Sequence, residues 1–530
     1  MLTSDPNAEE IANYREVLCI ELAERGKDKV LEAIALLEKL DEVLYVGPDY
    51  VIEGCASNVG DTPKLDYLNQ TESIELIRAQ AMITNPEPVR VAVLDTGIDA
   101  THEVLQHFVV ADKSKNYVEG QNAGEMENAH LTDPHGHGTH VAGIIAATAI
   151  NVEIISFRVL DDGNLGYSRF VEKAMKEINS LWEQGYIIPI VNLSARWGLT
   201  ETEFYDLPLE TILEQYPGLF VCGAGNERQY VKEIGNSEAD VKEGVLVYPA
   251  SYTLEDYGNS GRGDQMIVVG ASNQSDNGLW IKDEDEGSNE GKFAVDIFAP
   301  GENINSCYPT AKSSTGYQTV SGTSMATPYV TGVAALIKSV HPSKSAAEIK
   351  ELILANAETK SWLEGKCTTG GRLNAYDALY ASHTFGPWTE GGSDYCSYRT
   401  CSECEFTEIV EHSFMKQFVN TCVFFTCAEC GYYTEQHAQS PVHTAVDALT
   451  HQMTYPCCNT TSTASHTWTD WVDLDTTYHS RTCTDCGYEQ LQTHRECWNS
   501  LKEMCIACKR TGPITDVVQL QPPVEEEETQ

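Results

Sequence analysis

No stretch of this chain holds the about 18 consecutive apolar residues that a membrane-spanning helix needs, so none is expected. The opening residues, Met1-Leu2-Thr3-Ser4-Asp5-Pro6, carry neither a basic cluster nor an apolar core, and no signal peptide is visible. Either the protein stays in the cytoplasm or its natural start lies further upstream. Basic residues are scarce: 35 Lys and Arg stand against 79 Asp and Glu, a formal net charge of −44. Such a surface repels nucleic acid and anionic membranes and favours solubility, so no nucleic-acid partner is expected. Cysteine is sparse early on, where only Cys19, Cys55, Cys222, Cys307 and Cys367 occur, whereas 13 of the 18 cysteines fall between Cys396 and Cys508. That asymmetry marks a domain boundary.

What is present reads as an α/β protein. Val89-Arg90-Val91-Ala92-Val93-Leu94, Val152 to Leu160, Ile187 to Ser194, Leu219 to Gly223 and Met266 to Ala271 are continuous apolar runs separated by helical patterns such as Tyr167 to Leu181. Strands of that kind imply a mostly parallel sheet with helices on both faces. Chemistry in such sheets gathers beyond the C-terminal strand ends, where Asp95, Ser194 and Asn226 fall. A small β-α-β unit precedes this region: Val17 to Leu22 and Val43 to Val46 as strands, with Lys27 to Leu40 as the helix between them. About 50 residues make a poor core alone, so the unit should lean on something larger. Ser57 to Pro63 reads as an exposed linker or processing site.

Three motifs carry chemistry. Gly322-Thr323-Ser324-Met325-Ala326-Thr327-Pro328 sets a serine among small residues at a helix start, where free N–H groups face a developing anion. His135-Gly136-His137-Gly138-Thr139-His140 leads into an apolar helix; its histidines also admit a metal reading, although no H-E-x-x-H pattern accompanies them. Asp95-Thr96-Gly97 matches the aspartic-protease loop, but that chemistry needs two carboxylates sharing a proton, and the tripeptide occurs once.

Together with Ala224-Gly225-Asn226, these motifs make the stretch from Val89 to Ala381 resemble the subtilisin-like serine proteases (subtilases), with Asp, His and Ser in the family's order. The resemblance implies a serine endopeptidase acting through an acyl-enzyme. Ser324 would be the nucleophile, His137 the general base and Asp95 its orienting acid, with the Asn226 side chain and the Ser324 N–H as the oxyanion hole. Ser194, Ala195, Arg196, Trp197 and Gly198 stand where the family binds substrate by strand addition, and Arg196-Trp197 departs from its usual sequence. The family's calcium loop is expected to be missing, because Ile144 to Ile150 runs almost directly into the next strand; catalysis should need no cofactor. The β-α-β unit stands where subtilases keep an inhibitory propeptide, implying self-processing between about Tyr50 and Ala81. By resemblance the protein would be secreted or at the cell surface, with protein or peptide substrates and its own propeptide as inhibitor. The alternative is a binding protein in which the protease fold is a scaffold.

The expected organisation is a propeptide-like domain (1–60), a peptidase domain (61–381), a cysteine-rich region (382–512) and a disordered acidic tail (513–530). The cysteine-rich region repeats itself. His383 precedes Cys401-x-x-Cys404 with His412 after it, and His466 precedes Cys483-x-x-Cys486 with His494 after it. Modules this small need a staple. Two zinc ions are the expectation, one at His383, Cys401, Cys404 and His412 and one at His466, Cys483, Cys486 and His494, with disulfides as the competing staple. The region is also a candidate for binding a surface or a protein partner.

Overall fold

The structure is a computed structural model. It describes most of the chain from Gly26 to Thr493, leaving out 1–19, 56, 62–67, 120–128, 201–208, 232–243, 253–264, 437–440, 456–459, 474–477 and 494–530, together with scattered single positions. The chain forms two compact units, Met1–Gly386 with Thr400–Phe406, and Pro387–Arg399 with Thr407–Gln530.

The first unit begins with α1 (Lys27–Leu37), β1 (Val51–Gly54), β2 (Ser57–Asp61), α2 (Leu76–Gln80), β3 (Val89–Asp95) and β4 (Lys115–Asn116). It continues through α3 (His137–Thr148), β5 (Val152–Arg158), β6 (Leu165–Tyr167), α4 (Ser168–Glu183), β7 (Ile190–Leu193), β8 (Ala195–Thr200) and β9 (Leu219–Gly223). Then come β10 (Leu246–Tyr248), β11 (Met266–Ser272), β12 (Ile297–Pro300), β13 (Ile304–Cys307), β14 (Tyr317–Ser321) and α5 (Thr323–Val340). It closes with α6 (Ala346–Ala355), β15 (Glu358–Thr359), β16 (Gly371–Arg372) and α7 (Ala375–Ser382).

Nine strands form the central sheet in the order β15-β16-β12-β11-β9-β7-β3-β5-β4. Its pairings are parallel except that of β15 with β16. Side chains of a strand alternate between faces, and here both faces are covered. Val91 and Val93 of β3 join a core built with α3, α5, α6 and α7, while Ala92 and Leu94 join another built with α4. That double burial is why β3 reads as a mainly apolar run. α4 buries Phe170, Val171, Ala174, Met175, Ile178 and Leu181, the three-to-four spacing of one helix face.

α3 and α5 approach closely through small residues. A Cβ on Gly332 would lie 2.4 Å from Thr148 Cβ, and one on Gly138 would lie 2.1 Å from the Gly97 carbonyl oxygen. At the end of α3 the Gln80 amide donates to the carbonyls of Ala147 and Thr148, satisfying acceptors that the helix leaves open.

Of the N-terminal β-α-β unit, the helix is present as α1, whereas both expected strands fall largely outside the described residues. The stretch expected as an exposed linker is different. Ser57–Asp61 forms β2 and pairs antiparallel with β14, beside β13. Just before it, β1 lies between β6 and β8, with β10 beyond β8.

The second unit is a series of small antiparallel sheets. Phe414–Val419, Cys422–Cys427 and Tyr433–Gln436 form one; Val442–Ala445, Thr450–Tyr455 and Thr460–Ser465 form another; Val472–Asp473, Tyr478–Thr482 and Glu489–Thr493 form a third. No described helix is long and apolar enough to cross a membrane.

Candidate functional site

Strand ends deliver the site. Asp95 is the last residue of β3, Ser194 follows β7, and Asn226 lies just past the end of β9. His137 opens α3 and Ser324 is the second residue of α5.

Asp95 Oδ1 accepts from the Thr96 N–H at 2.7 Å and faces His137 Nδ1 at 2.7 Å. This sets the imidazole with Nδ1–H towards the carboxylate and Nε2 free of any hydrogen bond. Asp133 anchors the start of α3. Its carboxylate accepts from the N–H groups of His135, Gly136 and Thr139 and from the hydroxyls of Thr96 and Thr139. Burial pushes the Asp133 carboxyl up, against those bonds, which favour its charge. Gly136 caps the helix at φ 107°, and a side chain there would run into the Tyr308 ring.

Burial keeps the other two histidines of the motif neutral. His140 Nε2 lies 3.0 Å from the Gln318 carbonyl and 3.1 Å from that of Ile304, and burial holds it neutral, down to about 3. Burial likewise lowers His135 to about 4.

α5 contains Pro328, which has no N–H to give the Ser324 carbonyl four residues earlier. Ser194 Oγ donates to that carbonyl at 3.1 Å instead. Ser194 in turn accepts from Asn192 Nδ2, and Thr331 Oγ1 donates to Asn192 Oδ1. Asn226 Oδ1 accepts from the N–H and the hydroxyl of Thr323, leaving Nδ2 as the free donor of the amide. The Asn226 turn is braced from 287–289. Gly287 N–H donates to the Asn226 carbonyl, and Asn289 donates to the carbonyls of Gly225 and Ala224. Asp133 and Asn289 carry no motif signal; both are visible only through their contacts.

The N-terminal segment runs through this site. Ile52 lies opposite Gly166 and Trp197, Glu53 opposite Leu165 and Arg196, and Gly54 opposite Ala195. Cys55 N–H donates towards the Ser194 carbonyl at 3.4 Å, and the Ser324 N–H donates to the Cys55 carbonyl at 3.2 Å. Ser324 Oγ accepts from the Cys55 N–H at 3.0 Å and donates to the Ser194 carbonyl at 2.8 Å. Ser324 has no exposed surface. Its hydroxyl is hydrogen-bonded to these groups and not to His137.

The substrate-strand residues divide. Ala195 and Trp197 are fully buried, and Trp197 belongs to the core. Arg196 pairs with Glu227 at 2.6 Å and reaches Glu53 at 3.4 Å. Gly198, at φ 68°, abuts the Tyr248 ring.

Among the described residues three Cys/His clusters could hold a metal ion, and their membership differs from the expected sets. His383 and Cys404 are joined not by His412 but by His341, the residue that caps α5, and Cys401, expected with them, is not among the three. His412 lies instead with Cys396, Cys427 and Cys430. His466, Cys483 and Cys486 are joined by His451, while His494 falls outside the described residues. Cys396, Cys401, Cys404, Cys427, Cys430, Cys483 and Cys486 form no disulfide.

Each described Cys-x-x-Cys pair sits on the same knuckle. The N–H after the second cysteine returns to the first one's carbonyl, from Glu405, Gly431 and Gly487, and all three of those residues have positive φ. In each cluster one histidine turns Nδ1 to a sulfur, at 3.2 Å for His383 and Cys404, 3.5 Å for His412 and Cys430, and 3.3 Å for His466 and Cys486. Backbone carbonyls hold the other ring nitrogen of His412 and His466, those of Gly392 and Asp447, and Glu403 holds Nδ1 of His341. The Cys430 N–H pulls the Cys427 thiol down to about 6. Burial raises Cys483, but the Cys486 N–H and His466 outweigh it and hold the thiol at about 6.

The family model for the subtilase family, Peptidase_S8, matches residues 87–385. The major intracellular serine protease of Bacillus subtilis (strain 168) is 30% identical over 299 residues, covering 54% of this chain and 81% of that protein. An intracellular serine protease of Paenibacillus polymyxa is 32% identical over 276 residues, 50% of this chain and 72% of that one. Subtilisin DY of Bacillus licheniformis is 29% identical over 302 residues, 54% of this chain and 90% of its own length.

Replacing Asp133 with Ala leaves five donors around a buried site without their acceptor. Thermal denaturation should show a loss of at least about 3 kcal/mol, most of it recovered in Asp133→Asn.

Proposed function

The chain belongs to the subtilase family and is a serine endopeptidase; from that premise we propose that Ser324, His137 and Asp95 are its triad and that its first act is to cut its own Cys55–Ala56 bond. The observation that carries this is the path of the N-terminal segment. β1 pairs with strands on both sides as an extended substrate would, and the Cys55 carbonyl already accepts from the Ser324 N–H.

For the chemistry, the Ser324 hydroxyl turns from the Ser194 carbonyl to His137 Nε2, which has no other partner. Oγ attacks the Cys55 carbonyl carbon while Nε2 takes its proton. Asp95 holds the imidazole tautomer and balances the imidazolium. The oxygen, now negative, accepts from the Ser324 N–H and Asn226 Nδ2, donors fixed in place beforehand by α5 and Thr323. When the C–N bond breaks, His137 returns the proton to the Ala56 amine. Water then hydrolyses the Ser324 ester by the same base, freeing the Cys55 carboxylate. Protein and peptide substrates would follow the same route once the N-terminal segment leaves. Until then the segment, buried in the cleft, acts as inhibitor. A scaffold without catalysis has no use for an unpartnered Nε2 beside a buried serine.

We also propose zinc in the three Cys/His clusters. Tetrahedral zinc with Zn–S of about 2.3 Å and Zn–N of about 2.0–2.1 Å has ligand separations of about 3.6 Å for S to N and about 3.8 Å for S to S. The clusters show 3.2 to 3.8 Å between sulfur and nitrogen and 3.8 Å between Cys427 and Cys396 sulfurs. The carbonyls and the Glu403 carboxylate behind the rings are the supports that ligating histidines take. Zinc in the two four-residue clusters is structural and needs no contact with Ser324; His341, His383 and Cys404 offer three ligands, and the Cys401 thiol beside Cys404 is the candidate fourth.

Mass spectrometry of the purified chain should find a new N-terminus at Ala56 in the wild type, and Ser324→Ala should keep its original one; an identical N-terminus in both rules self-processing out. Elemental analysis should return at least three zinc ions per chain, one for each of these clusters, and one fewer in the Cys427→Ser/Cys430→Ser double variant. Metal-free protein with its cysteines paired as disulfides would refute the zinc reading.

A further inference from the structure

The side chains beside the scissile bond meet very different surroundings. Val51 is exposed, while Ile52, fourth before the bond, is fully buried among core residues. It lies opposite Gly166, where an added Cβ would come within 3.1 Å of Ile52 Cγ1. The floor of that pocket is therefore open to a branched aliphatic side chain because Gly166 carries none.

Gly54, second before the bond, is clamped by Asn164. The Asn164 side chain donates to the Gly54 carbonyl at 3.1 Å, and the Gly54 N–H donates to the Asn164 carbonyl at 3.2 Å. A Cβ on Gly54 would stand 2.3 Å from Asn164 Oδ1 and 2.4 Å from Nδ2. Asn164 is itself buried, with backbone φ 64°, and its N–H is held by the Asp161 carbonyl. Any side chain in place of Gly54 must push this amide out of its hydrogen bond.

Cys55 is almost fully buried beside the Arg196–Glu227 pair. The Arg196 stem packs over Gly225, 3.6 Å from where a Cβ would stand, and Asn289 Nδ2 donates to the far oxygen of Glu227 at 2.8 Å. Arg196 and Glu227 neutralise each other and fill space beside the residue before the bond, leaving room for a small uncharged group. The other face of the guanidinium reaches Glu53, third before the bond.

We propose that Asn164 and Arg196 set the substrate preference of this protease, confining it to sequences with a branched aliphatic residue fourth before the cut, an acidic residue favoured third, glycine second and a small uncharged residue immediately before it. The inference rests on the proposed cleavage at Cys55–Ala56. Asn164 excludes side chains at the second position and rewards its carbonyl. Arg196 narrows the first position and attracts the third.

The test uses the full chain after self-processing and quenched peptides spanning Val51 to Val59, with the cut located by mass spectrometry. The parent peptide should be cut between its Cys and Ala. Replacing its Gly with Ala should lower kcat/KM about tenfold or more, and Asn164→Gly, which suits the left-handed backbone, should erase most of that difference. Replacing its Cys with Leu should be poorly tolerated by the wild type and well by Arg196→Gly, which should also lose its preference for Glu over Lys in the third position. Equal cleavage of the Gly and Ala peptides by the wild type, or a penalty unchanged in Asn164→Gly, overturns the role of Asn164; a Leu penalty that Arg196→Gly leaves intact overturns that of Arg196. If casein is digested but the parent peptide is cut elsewhere, the Cys55–Ala56 reading itself fails, and this inference with it.

Discussion

A chain of buried hydrogen bonds ties the helix bearing Ser324 to the ends of the parallel strands. It runs from Thr331 through Asn192 and Ser194 to the Ser324 carbonyl, which Pro328 leaves without its helical donor. On the other side of the helix start, Thr323 is fixed to Asn226. The proposed nucleophile, with its own N–H, and the Asn226 amide thus come from different elements yet share one rigid frame. Preorganisation of this kind is what makes N–H donors effective at the moment charge develops, since nothing has to move to receive it. His137 is held with equal care by Asp95 in front and, through the start of its helix, by Asp133 behind.

Much of this was legible in the sequence, for identifiable reasons. β3, β5, β7, β9 and β11 are buried on both faces, so each appears as a mainly apolar run, and strand ends are where such sheets gather their chemistry. The motifs around Asp95, His137, Asn226 and Ser324 are short because each needs local geometry: a tight turn, a helix start, a close approach by glycine. Ser57–Asp61 shows the opposite case. Its Ser, Asn, Gly and Asp residues have turn character, yet it is a strand, because β14 offers an edge whose N–H and C=O groups pair with whatever backbone lies beside it. Arg196 stood out as a departure from the family's strand, whereas nothing in the sequence marked Asn164, whose contact depends on which residue of β1 faces it.

The cysteine-rich region teaches a related lesson about spacing. A repeat of histidine, Cys-x-x-Cys and histidine invites the reading that each module closes on its own ligands. The clusters instead complete each knuckle with residues from earlier in the chain: His341 and His383 with Cys404, Cys396 and His412 with Cys427 and Cys430, and His451 and His466 with Cys483 and Cys486. His341 stands outside the repeat altogether, at the end of the helix that begins beside Ser324. Sequence spacing identified the knuckles, whose geometry is local. It could not identify partners brought by the fold.

Everything said of the site converges on one atom, the Ser324 hydroxyl oxygen, hydrogen-bonded beneath the segment it is proposed to cut. Its reactivity can be read directly with a fluorophosphonate probe applied to processed protein, followed by peptide mapping of the adduct. The account predicts a stoichiometric adduct on Ser324, absent in Ser324→Ala and in unprocessed chains whose cleft is still filled by β1. Processed, folded protein that takes no label at Ser324 would contradict it.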